Sequence, residues 1–200
     1  MKREHHTIGQ NSPEWFALRL GRFTASTFAD LFMGRSTAGY KKAIYRPVYE
    51  RIAGESPEFF SSDAMARGTE LEPVAAEAYQ ARTFAPVSAA GFWTMGDWVG
   101  ASPDRLVSET GLLEIKCPLY STQMDYLLKP EVPKTYLWQI HGQMYLTGRD
   151  WCDFYSYHPK LDALLLRVHR DEKKEMELIK QLSLAVEQAE EIISKLRKTA

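Results

Sequence analysis

The stretch from Gly100 to Pro118, GASPDRLVSETGLLEIKCP, constrains the fold of this chain more than any other. Its flanks, Val99 to Val107 and Leu112 to Cys117, alternate as strands do, and Ser108-Glu109-Thr110-Gly111 between them is turn chemistry. A three-residue loop ending on Gly111, the residue most tolerant of positive φ, pairs Ser108 with Leu112, Leu106 with Glu114 and Asp104 with Lys116. Side chains two apart share a sheet face, so Asp104, Glu114 and Lys116 project the same way. A two-residue loop would send Asp104 to the face opposite Glu114.

Two carboxylates converging on one face repel unless a cation sits between them or one is protonated. Hard oxygen ligands favour Mg²⁺ or Mn²⁺ over zinc. Such an ion polarises a phosphoryl oxygen and lowers the pKa of bound water, and a second can steady the leaving oxygen. Lys116 would orient or deprotonate the water and counter charge in the transition state. The plainer alternative is a surface hairpin with a Lys-Asp cross-strand pair, worth about 0.2–1 kcal/mol. Pro103 and Pro118 bracket the acids and sharpen the pattern.

Ser-Pro-Asp at 102–104 followed by Glu-Ile-Lys-Cys-Pro at 114–118 resembles the PD-(D/E)xK nuclease signature, and most of all its phage lambda exonuclease and YqaJ viral-recombinase branch. Trp-x-x-x-Arg-x-Gly-x-x-Thr-Ala-Ser at 15–26, Gly-x-x-x-Glu at 68–72 and Tyr-x-x-Gln at 136–139 extend the resemblance from Trp15 to about Asp171. It implies a Mg²⁺-dependent exonuclease, with Mn²⁺ able to substitute and two ions expected. Such an enzyme digests one strand of duplex DNA from a 5′-phosphorylated end, releases mononucleotides and leaves a 3′ overhang for recombination by strand annealing. Asp104, Glu114, Glu72 and the Ile115 carbonyl would hold the ions, and Lys116 would handle the water. Arg19, Ser26, Ser102 and Gln139 would hold the terminal phosphate. The resemblance also places Arg35 at the DNA minor groove and Met65 at the terminal base pairs, although on their own residues a solvated loop arginine and core filler are the simpler readings. Ser26 is open between a phosphate ligand and an ordinary helix cap. The implied partners are double-stranded DNA ends, two further copies of the chain in a ring-shaped trimer, and a single-strand annealing protein in a bacterial host carrying the phage or prophage gene. Two other functions fit the same core: a sequence-specific endonuclease, and an inert DNA-end binding module whose hallmark would be loss of an acid or the lysine.

At 200 residues and 44% hydrophobic the chain is long enough for one nuclease domain spanning 1–200 with a real core. No apolar run is long enough to span a bilayer, and MKREHHTIGQ lacks the apolar region of a signal peptide. Cys117 and Cys152 form no spacing motif and read as reduced thiols of a cytosolic protein. The net charge of −1 argues against non-specific coating of nucleic acid. It leaves room for a basic groove beside an acidic metal site.

Ser12-Pro13-Glu14 starts a helix that runs to about Leu20, with Arg19 at its end. Further helices are expected at Thr24–Phe32, Tyr40–Ala53 with Pro47 kinking or splitting it, and Ser61–Arg82. The last should bury Leu71, Val74, Ala75 and Ala78, bend at Pro73 and turn Glu72 inward. Strands are expected at Val87–Met95, Trp98–Val107 and Leu112–Cys117, then helices at Ser121–Leu128 and Pro133–Leu146. The second of these helices should bury Leu137, Ile140 and Met144. It carries Gln139 and Gln143 on one stripe, with His141 as a surface or core histidine. Strands at Asp150–Tyr157 and Ala163–His169 precede a long helix from Asp171 to Arg197 with a seam of Met176, Ile179, Leu182, Val186, Ala189, Ile193 and Leu196. This order fits an α/β (α+β) restriction-endonuclease-like core, a mixed central sheet flanked by helices.

Overall fold

The structure, a computed structural model, describes residues 2–57 and 63–198, with side chains in the second stretch described from residue 66. The Met65 side chain therefore lies outside the described residues. Two mixed sheets form the centre. One has the order β1 (Arg3–His6), β4 (Phe92–Met95), β5 (Val99–Ala101), β2 (Phe23–Thr24). The other has the order β3 (Val87–Ala89), β6 (Arg105–Val107), β7 (Gly111–Lys116), β8 (Trp151–His158), β9 (Leu161–His169). Around them lie α1 (Pro13–Arg19), a 3₁₀ segment (Ala25–Phe32), α2 (Ala38–Ala53), α3 (Asp63–Thr83), α4 (Tyr120–Leu128), α5 (Lys134–Thr147) and α6 (Glu172–Lys198). Among the described residues no helix is long and apolar enough to cross a membrane.

The helix starts are built as their residues dictate. Ser12 accepts the Trp15 amide at 3.2 Å ahead of Pro13, and Thr37 accepts that of Tyr40 ahead of α2. Pro47 and Pro73 lie inside continuous helices and split neither. The element expected at Thr24–Phe32 is 3₁₀ rather than α and spans Ala25–Phe32; Thr24 takes the N-cap position without a side-chain cap hydrogen bond, its hydroxyl lying 3.3 Å from that of Ser26.

Several expectations are corrected. The strands expected at Val87–Met95 and Trp98–Val107 are each broken, and their halves enter different sheets. One break falls at Gly91, which takes φ 64°; a Cβ there would meet the His6 carbonyl at 2.3 Å. The other falls at Pro103, which has no amide to donate to a ladder. The hairpin has the expected three-residue loop, but its register is Val107 with Gly111, Leu106 with Leu112 and Arg105 with Leu113. Its left-handed residue is Ser108, at φ 48°. Gly111 instead opens β7, where the Trp151 ring occupies the space a Cβ would need, at 2.2 Å. The shift is by two residues, so the faces of Glu114 and Lys116 survive it.

The α3 stripe is rotated from the expected one: Ala75, Ala76 and Tyr79 are buried and Val74 is exposed. The α6 seam turns in part: Leu182 and Ala189 are buried as expected, joined by Leu178 and Ala185, while Met176, Ile179 and Leu196 stay exposed. On α5, Ile140 and Met144 are buried as expected, together with His141, whose pKa is lowered by burial and by nearby Lys174. Strand β1, Arg-Glu-His-His, carries no apolar signal, and it pairs antiparallel with β4. Both cysteines are unpaired thiols.

Candidate active site

Strand β7 is buried on both faces. Leu113 and Ile115 cluster with Ala75, Ala76 and Tyr79 of α3, while Leu112 clusters with Ile140 and Met144 of α5. Fully burying such a side chain is worth about 1.5–3 kcal/mol, so the strand is held firmly between the two helices. Glu114 alternates onto the Leu112 face and has no exposed surface. A carboxylate so placed requires donors. Gln143 Nε2 donates to its Oε2 at 2.7 Å, Gln139 Nε2 donates to its Oε1 at 2.5 Å, and the Lys116 ammonium pairs with Oε1. Gln139 and Gln143 come from successive turns of α5, so one helix face supplies both amides.

Lys116 shares that face two residues along β7, its ammonium 4.9 Å from the Tyr136 ring centroid. Burial opposes its charge, but Glu114 and Asp104 outweigh burial and hold its pKa above the ordinary lysine value. Strand β6 begins only at Arg105, and the Ile115 amide beyond it is taken by Asp104 Oδ2 at 2.6 Å. Burial, and then the charge of Glu114, push the Asp104 carboxyl well above the usual carboxylate range. Lys116 and the Ile115 amide oppose that shift, and Glu72 adds to it.

Asp104, Glu114 and Lys116 are thus brought together as expected, with Asp104 anchored to Ile115 rather than facing Lys116 across a ladder. Glu72 is half-buried near them, and its Oε1 accepts from Arg105 Nη1 at 2.8 Å. The same Nη1 donates to the Asp104 carbonyl at 2.6 Å, so Arg105 ties Glu72 to the Asp104 segment. Among the described residues, no three Asp, Glu, His or Cys side chains form a ready-made metal cage.

No direct hydrogen bond joins the four residues assigned to a phosphate, and each has partners of its own. Arg19 stacks on Trp15, its guanidinium carbon 4.1 Å from the ring centroid, and Trp15 Nε1 donates to Ser102 Oγ at 3.0 Å. Ser102 itself donates to the Gly91 carbonyl at 2.9 Å. Ser26 is exposed beside Thr24, and Gln139 is bound to Glu114. Arg35 is exposed on the loop before α2. The sequence alone did not point to three contributors: Gln143, Arg105 and Arg67, whose Nη1 donates to the Cys117 and Pro118 carbonyls at 2.7 and 2.9 Å and so fixes the segment just after β7. Only Gln143 carried a signal, its i, i+4 spacing from Gln139.

The family model of the YqaJ-like viral recombinase domain matches residues 14–150. The chain belongs to that family. Among solved structures it is similar to an alkaline exonuclease, LHK-Exo, from Laribacter hongkongensis. The two are 35% identical with a TM-score of 0.87, over 94% of this chain and 97% of that one. The same exonuclease in complex with dAMP matches equally, at 35% identity and a TM-score of 0.87. A phage-related exonuclease from Haemophilus somnus 129PT shares the fold at 14% identity, with a TM-score of 0.74 over 88% of this chain and 96% of that one. No curated protein sequence matches the chain. Membership of the YqaJ family and likeness to an alkaline exonuclease support DNA exonuclease activity, a hydrolase acting on DNA.

Proposed function

We propose that the chain is a divalent-cation-dependent exonuclease that degrades one strand of duplex DNA from a 5′-phosphorylated end. The observation that carries this reading is the convergence of Asp104, Glu114 and Lys116 at the open end of β7. The donors fit a small hard cation. Glu114 and the Ile115 carbonyl offer oxygen, and the Asp104 carboxyl is disfavoured as an anion by burial and by Glu114, a repulsion that a cation between them would relieve. Asp104, Glu114 and the Ile115 carbonyl would hold Mg²⁺ or Mn²⁺, two ions being expected, with Glu72 reaching the site by leaving Arg105. Bound there, the cation supplies Lewis-acid polarisation of the phosphodiester and activates water.

The residues themselves divide the remaining work. Lys116 carries its ammonium beside the carboxylates, where it offsets negative charge growing on the phosphate and can donate a proton. Gln139 and Gln143 hold the Glu114 carboxylate in one orientation. Arg19, set on Trp15, faces the 5′ end with a guanidinium fork suited to phosphate. The dAMP complex of the Laribacter hongkongensis exonuclease supports a mononucleotide product. A 3′ overhang delivered to a single-strand annealing protein, a ring of three copies around the duplex and action in the cytoplasm of a bacterial host complete the reading. The test is Glu114→Ala: Mg²⁺-dependent digestion of linear duplex should vanish, and digestion left unchanged would remove the catalytic assignment.

A further inference from the structure

Helix α2 packs one side on α6 and the 3₁₀ segment and leaves the other open. Tyr40, Ala43, Ile44, Pro47 and Val48 take the inner side. At about 100° per residue, Lys41, Lys42, Tyr45, Tyr49 and Ile52 share an arc of about 100° on the outer side. All five are exposed, Tyr45 at 54% and Tyr49 at 45%. The third tyrosine of the helix is the contrast: Tyr40 is buried, and its hydroxyl donates to Gln188 at 2.7 Å. Among the described residues the Tyr45 and Tyr49 side chains have no hydrogen bond and no ring partner, and Lys41 and Lys42 have no ion pair.

The charge on this face has one sign. The single acid of α2, Glu50, is buried and accepts Arg46 Nε at 2.9 Å, the Gly21 amide at 2.8 Å and the Ser56 hydroxyl at 2.9 Å. At one edge Lys42 and Arg46 also line a basic cavity of about 140 Å³ with Arg19 and Arg22, opposed by Asp30 and Glu50. The whole chain carries −1, so this gathering of cations is local. A protein partner would favour the tyrosines but not the lysines, which are depleted where protein surfaces bury one another. A single strand of nucleic acid suits both, offering phosphates to the ammonium groups and base faces to the rings. Duplex DNA keeps its base faces covered. The helical rise sets Tyr45 and Tyr49 about 6 Å apart along the axis. Nucleotides of a duplex strand advance only about 3.4 Å, so bases resting on both rings must part from each other, which a single strand permits.

We propose that this face of α2 binds single-stranded DNA, with two bases stacked on Tyr45 and Tyr49 and the flanking phosphates held by Lys41 and Lys42. That the strand is the one left by the chain's own digestion rests on the exonuclease reading above; the binding itself does not.

The experiment measures Kd by fluorescence anisotropy for a labelled 5′-hydroxyl oligothymidylate, in chelator so that nothing is cut. Tyr45→Ala and Tyr49→Ala should each raise Kd about tenfold, the loss of one stacked base. Tyr45→Phe keeps the ring and should bind as the wild type does. Lys41→Met and Lys42→Met should each lessen the slope of log affinity against log salt by about 0.7, one phosphate contact on a single strand. Lys180→Met, an exposed charge on α6, should change neither quantity. A blunt 5′-hydroxyl duplex should bind the alanine variants and the wild type alike. No wild-type binding, or both alanine variants at the wild-type Kd, would overturn the platform and leave the exonuclease reading standing, since no cleavage enters the assay. Equal losses on strand and duplex would reduce the face to a charged track and overturn the stacking. Oligouridylate bound more tightly than oligothymidylate would assign the face to RNA and overturn the DNA assignment. If Tyr45→Ala lowered the mass of the assembly in sedimentation, the face would be a contact between copies and the proposal would fall.

Discussion

Gln143 Nε2 lies 2.7 Å from Glu114 Oε2, both side chains are buried, and the Gln143 Oε1 atom has no hydrogen-bond partner among the described residues. The amide is thus fixed by the carboxylate rather than by its own surroundings. Gln143→Leu, which keeps the bulk and removes the donor, should lower kcat about 10–100-fold, the usual effect of losing a group that orients a ligating carboxylate. KM for DNA should change little, and the concentration of Mg²⁺ giving half-maximal rate should rise. A variant with an unchanged Mg²⁺ requirement would reduce Gln143 to packing.

Titration of Asp104 should be visible in stability. Its folded-state pKa is raised by burial and by Glu114, so in metal-free protein the folded form holds the proton more tightly than the unfolded chain. The associated stability is fully present below the unfolded value of about 3.9 and is lost as pH rises through the folded value. Urea denaturation of the chelated wild type against Asp104→Asn should therefore show the variant gaining on the wild type from about pH 4 upward. Parallel curves across that range would contradict the raised pKa. Mg²⁺ should stabilise the wild type at neutral pH more than the variant.

Away from the site, Asp153 of β8 binds the sheet to α3 and β9. It is 1% exposed and accepts the Tyr79 hydroxyl at 2.7 Å and Arg167 Nε and Nη2 at 2.8 and 2.9 Å. Asp153→Ala strands the buried Tyr79 hydroxyl. It should cost about 2–4 kcal/mol in chemical denaturation, the Arg167 contribution being discounted because that side chain is half exposed. A loss below about 1 kcal/mol would mean that water replaces the carboxylate.

How far the sequence reached can be argued from a few residues. Ser12-Pro13, Asp104, Glu114 and Lys116 were legible because their signals are local: a cap, a proline and a period of two that survives a two-residue slip in register. Gln139 was legible only through the family motif, and its partner Gln143 only as a spacing, because what sets their role is a carboxylate on a strand 25 residues earlier than Gln139 in the chain. Glu72 was read as inward-facing. The rotation of α3 that buries Ala76 and Tyr79 instead of Val74 depends on packing against β7 and β8, and it leaves Glu72 with Arg105. The division of two expected strands between two sheets was hidden because Gly91 and Pro103 mark breaks without saying where the chain goes next. The basic cavity was hidden for a related reason: Arg22, Lys42 and Arg46, which line it beside Arg19, come from the turn before β2 and from α2, and each alone reads as a solvated charge.

The central claim is tested most directly by one digestion. Linear duplex carrying 5′-phosphates, labelled separately at the 5′ and 3′ ends of one strand, is incubated with the protein with and without Mg²⁺, beside a supercoiled circle. The account predicts that with Mg²⁺ the 5′ label is released first as a mononucleotide, the 3′ label persists until late, the circle stays intact, and nothing happens without the metal. Early loss of the 3′ label, cutting of the circle, or equal digestion in chelator would contradict it.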